Sequence, residues 1–242
     1  MWNSIKNIIM PDSLSAAFRD SQKEGTALFS GGSYLTAQKN PSITSLIDIN
    51  SLVDNGIAVE NNSCVIGAGV TLQELCDFLL EKHVLDKLVT AIQYSCPSLQ
   101  IRNQRTIGGE IGYGRTNSEV LVMLHAMDAT LTVMREKETT LALREWDGKG
   151  IVSQLHIASD LTTDLLRFSL LTSAPAFVIC AMCNTDRETD FAIGGRINHI
   201  HVMGNNNNLI ESFPDFPNDH YGSSEYKTSL VKTAIQRMTK NK

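Results

Sequence analysis

Phe29-Ser30-Gly31-Gly32-Ser33-Tyr34 and Arg105-Thr106-Ile107-Gly108-Gly109-Glu110-Ile111 are the two stretches on which the reading of this chain turns. The first follows the apolar run Ala27-Leu28-Phe29, which reads as a buried strand. Adjacent glycines after a strand let successive backbone N–H groups turn toward one point with no Cβ in the way, a geometry that suits an anion. One such pair is far more often an ordinary turn. Two are read here as halves of a single pyrophosphate cradle across a cleft between two lobes. The amides of Gly31, Gly32, Ser33 and Tyr34, with the hydroxyls of Ser30 and Ser33, ligate one part, and Thr106, Gly108 and Gly109 supply the rest.

Working outward, Leu14, Ala17, Phe18 and Ser21 fall at helical spacing, with Asp12 or Ser13 to cap the start and Gly25 the end. After the Ser30–Ser33 loop a polar segment leads to Pro41, and a second strand runs over Ser45–Ile49. Strands at Ile57–Glu60 and Ser63–Ala68 flank Asn61-Asn62, a hairpin signal. Thr71-Leu72-Gln73-Glu74 is a capping box for a helix to about Lys82, which accounts for Glu74 without catalysis. Thr116-Asn117-Ser118-Glu119 reads as the same device, and accounts for Glu119 in the same way. Leu131–Met134 and Thr139–Leu143 alternate like antiparallel strands. A break at 156–162 precedes strands at Leu165–Leu171, Ala176–Asn184 and Thr189–Ile193, with a possible fourth over Arg196–Val202. Gly204–Asn208 reads as a loop, and an apolar stripe from Tyr226 to Met238 closes the chain as a helix.

The chain has 242 residues, 42% hydrophobic and 19% charged, which suffices for a sizeable core in one large or two modest domains. A net charge of -5, with no basic run interleaved with aromatics, argues against a nucleic-acid surface. No stretch approaches about 18 uninterrupted apolar residues, and the N-terminus has no long apolar core, so no membrane span and a cytoplasmic location are expected. Five cysteines, an odd number in mostly apolar segments, fit reduced thiols. Cys180-Ala181-Met182-Cys183 has metal-like spacing, but a strand puts the two sulfurs on opposite faces and no second pair completes a site. Among six histidines only His199 and His201 would share a strand face, and two ligands do not make a metal site. Gly67-Ala68-Gly69 is the nearest approach to a dinucleotide fingerprint; Leu72 stands where the third glycine belongs, so the stretch reads as a tight strand-to-helix connection.

In order along the chain, several stretches resemble the FAD-binding (medium) subunit of the molybdenum hydroxylases, the family that includes xanthine dehydrogenase and the flavoprotein of carbon monoxide dehydrogenase. They are Phe29 to Ser33, Leu46-Ile47-Asp48-Ile49, Ile66 to Leu75, Ile101-Arg102-Asn103 with Thr106-Ile107-Gly108-Gly109, and Ser224-Glu225-Tyr226-Lys227. The resemblance implies an α+β fold: a PCMH-type two-lobed FAD-binding domain over 1–160, with lobes of about 1–54 and 55–160. A small C-terminal domain of antiparallel sheet plus helices would follow over 161–242. It implies an oxidoreductase subunit that holds FAD through Ser30, Gly31, Gly32, Ser33, Tyr34, Thr106, Ile107, Gly108, Gly109 and Glu110, with no catalytic acid or base and no metal of its own.

The flavin would take electrons from a [2Fe–2S] partner subunit, fed by a molybdopterin-binding large subunit, and pass them to NAD or another acceptor. It would be non-covalent, since Ser33 and Tyr34 stand where relatives of the broader fold carry an attaching His. Glu110 departs from the Asn or Asp usual after the second Gly-Gly, and the chain reads as abbreviated after Leu143 and between Val202 and Ser223. Arg167-Phe168 resembles a basic and aromatic pair at the start of the C-terminal domain. A flavin-less assembly or adaptor protein and a self-contained flavin oxidoreductase are the alternatives on the same fold.

Overall fold

A computed structural model describes residues 2–185, 189–204 and 213–240. The elements run β1 (Asn7–Ile9), α1 (Leu14–Ser21), β2 (Thr26–Phe29), α2 (Ser33–Gln38), β3 (Ser45–Asp48), β4 (Ile57–Glu60), β5 (Ser63–Gly67) and α3 (Leu72–Lys82). Then come α4 (Asp86–Ser95), α5 (Leu99–Arg102), α6 (Ile107–Tyr113), α7 (Glu119–Ala126), β6 (Thr130–Met134), β7 (Glu138–Ala142) and β8 (Ile151–Ala158). The last are β9 (Thr162–Phe168), β10 (Val178–Asn184), β11 (Thr189–Gly195), β12 (His201–Gly204) and α8 (Ser224–Lys240). The fold is α+β.

Contacts divide the chain into two units. The first holds Met1–Phe78, Ser98–Tyr113 and Thr130–His156; the second holds Leu79–Pro97, Gly114–Ala129 and Ile157–Lys242. These units interleave along the sequence, whereas the domains proposed from the sequence are two contiguous spans meeting near 160.

The first unit contains a parallel sheet of order β1-β3-β2 and a second sheet of order β4-β5-β8-β6-β7. Ser13 caps α1 by accepting from the Ala16 amide at 3.2 Å, and Ala17 on that helix is fully buried. Asn61 and Asn62 both take positive φ, 49° and 62°, the turn that the right-handed twist of the β4–β5 hairpin favours. The Thr71 capping box is present: the Thr71 amide donates to Glu74 Oε2 at 2.8 Å and the Glu74 amide to Thr71 Oγ1 at 3.2 Å.

Four local expectations are corrected. The polar segment after Ser33 folds as α2, whose first turn closes when the Thr36 amide donates to Gly32 O. Ile107–Tyr113, read from the sequence only as half of a phosphate cradle, folds as helix α6, because Glu110 N–H bonds Thr106 O and carries the turn through both glycines. Asp86–Ser95, left without an element by the sequence, is α4. The break expected to begin at His156 falls within β8, a strand whose polar Ser153, Gln154 and His156 blur its alternation; its central place between β5 and β6 comes from long-range pairing.

In the second unit the sheet β12-β11-β10-β9 is antiparallel throughout. Strand β10 is buried along its length up to Asn184, because α8 and α7 both pack against it. Phe177, Cys180, Met182, Phe191 and Ile193 form one core with Val231, Ala234 and Met238 of α8. Cys180 and Cys183 are both buried, and burial pushes each thiol up to about 12. The fourth strand begins at His201, so His199 lies before it and shares no strand face with it. Of the expected Gly204–Asn208 loop, 205–208 lie outside the described residues.

Ser118, not Thr116, caps α7, accepting from the Leu121 amide at 3.3 Å, while the Thr116 hydroxyl donates to Gly195 O. Glu119 is therefore no capping carboxylate. It is buried in an ion pair with Arg167, Nε to Oε1 2.7 Å, and accepts from Ser95 Oγ at 3.1 Å. Burial pushes the Glu119 carboxyl above its ordinary value, and Arg167 pulls against that shift. Arg167 also donates to Thr172 O at 2.7 Å and faces the Tyr94 ring at 4.8 Å.

Candidate cofactor site

Strand β2 delivers Ser30–Tyr34 to the mouth of a cavity of about 250 Å³ whose lining residues all belong to the first unit. Ser30, Gly31, Gly32, Ser33 and Tyr34 form one wall. Arg105, Thr106, Gly108, Gly109 and Tyr113 form a second, and Trp146, Gly148, Gly150, Ile151 and Val152 a third. The volume is below the roughly 300–1,000 Å³ usual where a pocket encloses a whole drug-sized ligand. It suits one segment of a long ligand.

Both glycines of the first loop are required by the geometry. A Cβ on Gly31 would lie 1.7 Å from the Gln104 carbonyl oxygen, so the two loops touch backbone to backbone there. Gly32 has φ of 68°, which L side chains rarely adopt, and a Cβ would enter the Phe29 ring. The amides of Gly31, Gly32 and Ser33 have no backbone acceptor among the described residues. That is the donor set a phosphate needs.

The second stretch contributes differently. Its amides are engaged: Ile107 N–H donates to Val70 O, Gly108 N–H to Ala68 O and Gly109 N–H to Thr106 Oγ1. Besides Arg105 it gives the cavity lining Thr106, whose hydroxyl lies 3.4 Å from Ser30 Oγ, with Gly108 and Gly109. Ile107 is fully buried and does not line the cavity. Glu110 is likewise buried beneath it, at 1% exposure, and accepts from Tyr34 Oη at 2.8 Å.

Of the cavity residues that the sequence reading left unassigned, three have polar or aromatic side chains: Arg105, Tyr113 and Trp146. Arg105 is a neighbour of Thr106, but nothing in its local pattern says that its side chain turns to the glycine loop. Its Nε donates to Ser33 Oγ at 3.3 Å, its Nη1 is 3.5 Å from Glu110 Oε2, and its Cζ sits 4.0 Å over the Tyr34 ring. Tyr113 stacks on Tyr34, centroids 4.0 Å apart and planes within 8°, and hydrogen-bonds Gln38. Trp146 enters from the turn after β7, tied by its indole N–H to Lys149 O at 2.8 Å. The helix that carries Tyr113 was the missing signal for it.

The sequence matches the family described as FAD binding domain in molybdopterin dehydrogenase over residues 4–150, more than half of the chain. Comparison with curated proteins finds no match. Among solved structures, a chain of carbon monoxide dehydrogenase from Hydrogenophaga pseudoflava aligns with a TM-score of 0.80 at 17% identity, over 96% of this chain and 95% of that one. A chain of the reconstituted carbon monoxide dehydrogenase of Oligotropha carboxidovorans gives the same four values. A chain of quinoline 2-oxidoreductase from Pseudomonas putida 86 aligns with a TM-score of 0.80 at 15% identity, over 96% and 94%. These likenesses establish the fold. They span nearly all of both chains.

The protein belongs to the FAD-binding domain family of the molybdopterin dehydrogenases. Within that class it is an FAD-binding oxidoreductase subunit with the architecture of the carbon monoxide dehydrogenase and quinoline oxidoreductase chains. The cradle fits the cofactor: unpartnered loop amides, a close backbone approach that a Cβ would fill, and two hydroxyls lie at one cavity wall.

Proposed function

We propose that this chain is the FAD-carrying electron-transfer subunit of a molybdenum hydroxylase-type complex. Residues 1–160 would form its FAD-binding domain and 161–242 the C-terminal domain. The observation that carries the reading is the loop Ser30–Tyr34, whose amides at Gly31, Gly32 and Ser33 have no backbone acceptor among the described residues and which lines one cavity with Thr106, Gly108 and Gly109.

Gly31, Gly32 and Ser33 hold the pyrophosphate through backbone N–H groups, and the Ser30 and Thr106 hydroxyls add donors at the same wall. Ile107 and Glu110 act behind that wall: Ile107 packs it, while Glu110, through its hydrogen bond from Tyr34, joins its two halves. Bound FAD supplies the redox chemistry, relaying electrons from an iron–sulfur subunit supplied by a molybdopterin subunit toward an acceptor such as NAD. The chain's part is to bind and orient it. Binding is non-covalent, and the site of action is cytoplasmic, consistent with the absence among the described residues of any helix long and apolar enough to cross a membrane.

The test is an absorbance spectrum of the purified chain, alone and with added FAD, followed by acid precipitation. Flavin bands near roughly 370 and 450 nm that leave with the supernatant are expected. Flavin kept in the pellet would refute non-covalent binding. A colourless protein that ignores FAD would point to the flavin-less adaptor, and steady turnover by the isolated chain with a small-molecule donor to a self-contained oxidoreductase.

A further inference from the structure

We infer that Arg105 is a pyrophosphate-binding residue of this chain, supplying the positive charge that its glycine cradle lacks; this rests on the FAD reading above. Among the described residues that line the cavity, Arg105 is the single Lys, Arg or His. The amides of the second glycine stretch are engaged within the fold, so the pocket meets a doubly charged ligand with three loop amides, two hydroxyls and this guanidinium. Neutral donors alone leave most of that charge uncompensated in a protein of net charge -5.

The guanidinium is held ready. Its side chain is 10% exposed, its face lies on Tyr34, and Tyr34 is clamped by the parallel Tyr113 ring. Ser33 Oγ and Glu110 Oε2 take the Nε and Nη1 positions, and Nη2, on a side chain that lines the cavity, has no hydrogen-bond partner among the described residues. Ser33 belongs to the loop that would wrap the phosphates, so the hydrogen bond fixes Arg105 to the cradle itself. Glu110 opposes anion binding by charge, but its contact is 3.5 Å and its Oε2 also accepts from Tyr34. It therefore positions Arg105 and lowers the affinity at the same time.

The experiment titrates the full-length chain, stripped of flavin, with FAD, riboflavin and inorganic pyrophosphate, for the wild type, Arg105→Gln and Glu110→Gln. A charge-assisted contact predicts that Arg105→Gln weakens FAD and pyrophosphate about 10- to 100-fold. Riboflavin, which has no phosphate, is left within about twofold, and the salt dependence of FAD affinity flattens. Glu110→Gln tightens pyrophosphate about threefold or more by removing the opposing charge.

Equal losses for riboflavin and FAD, or an unchanged FAD affinity in Arg105→Gln, overturn the assignment while leaving the FAD reading intact. A wild type that binds pyrophosphate through Arg105 but no FAD overturns the FAD reading alone. One that binds neither overturns both. Should Arg105→Gln not fold, Glu110→Gln decides: tighter pyrophosphate binding supports the assignment, and unchanged or weaker binding overturns it.

Discussion

Tyr34 donates its phenolic hydrogen to Glu110 Oε2 at 2.8 Å, across 76 residues of sequence, and so bolts the first glycine loop to the helix that begins in the second. Each residue explains the other: a carboxylate buried at this depth needs donors, and a tyrosine whose ring is stacked between Arg105 and Tyr113 needs an acceptor for its hydroxyl.

Tyr34→Phe keeps the ring stack and removes the donor. It is expected to cost about 1–3 kcal/mol, because the partner left behind is a buried carboxylate. Urea unfolding followed by circular dichroism measures it, and a midpoint equal to the wild type would show that the bond contributes nothing.

Gly31→Ala places a methyl where the Gln104 carbonyl stands, 1.7 Å away, with backbone on both sides. Overpacking of about 1–3 kcal/mol is expected, relieved by separation of the two loops. FAD affinity should fall at least about tenfold by fluorescence titration. Full affinity would mean that the loops do not meet as described.

Glu119 and Arg167 form a buried pair. Either Glu119→Gln or Arg167→Gln should destabilise by about 3–5 kcal/mol, since each strands the other group, and the double variant by less than the two singles combined. A double-mutant cycle by denaturant unfolding gives the coupling. Simple additivity would refute it.

Asp219 accepts from Lys227 Nζ at 2.6 Å, from Arg196 Nε at 2.8 Å and from the Tyr221 amide. The Lys227 hydrogen bond is the main reason its carboxyl is lowered from 3.8 to about 2. A carboxyl lowered on folding stabilises above its unfolded value, and that stabilisation is lost as pH falls from about 4 toward about 2. Asp219→Asn should lower the thermal midpoint by several degrees at pH 7 and shrink the gap to the wild type at pH 2–3. A gap independent of pH would count against the linkage.

All five cysteines are buried, and Cys64 is pushed up to about 11 by burial. Ellman's reagent should therefore find essentially no reactive thiol in the native protein and five after denaturation. Rapid labelling of the native chain would contradict this.

The elements legible in the sequence are those fixed by neighbours in sequence: α1 with its Ser13 cap, the Asn61-Asn62 hairpin, the Thr71–Glu74 box and the stripe on α8. Tertiary partners made the others. β8 is a strand because β5 and β6 flank it, and the Glu119 carboxylate, on helix α7, was misassigned because its partner stands far along the chain in strand β9. At the site, glycines announce themselves because backbone geometry restricts them wherever they stand. Arg105 and Trp146 do not, since where a long side chain points is settled by distant residues.

The place of β8 in its sheet also sets an order of events. Hairpins β4–β5 and β6–β7 close from local contacts, but they can be joined only by a strand made after both, and the cavity's third wall, 146–152, leads into that strand. During synthesis the two glycine stretches emerge long before the wall that faces them. The cradle is thus incomplete for much of translation, and flavin capture becomes a late step that reports on a sheet already closed.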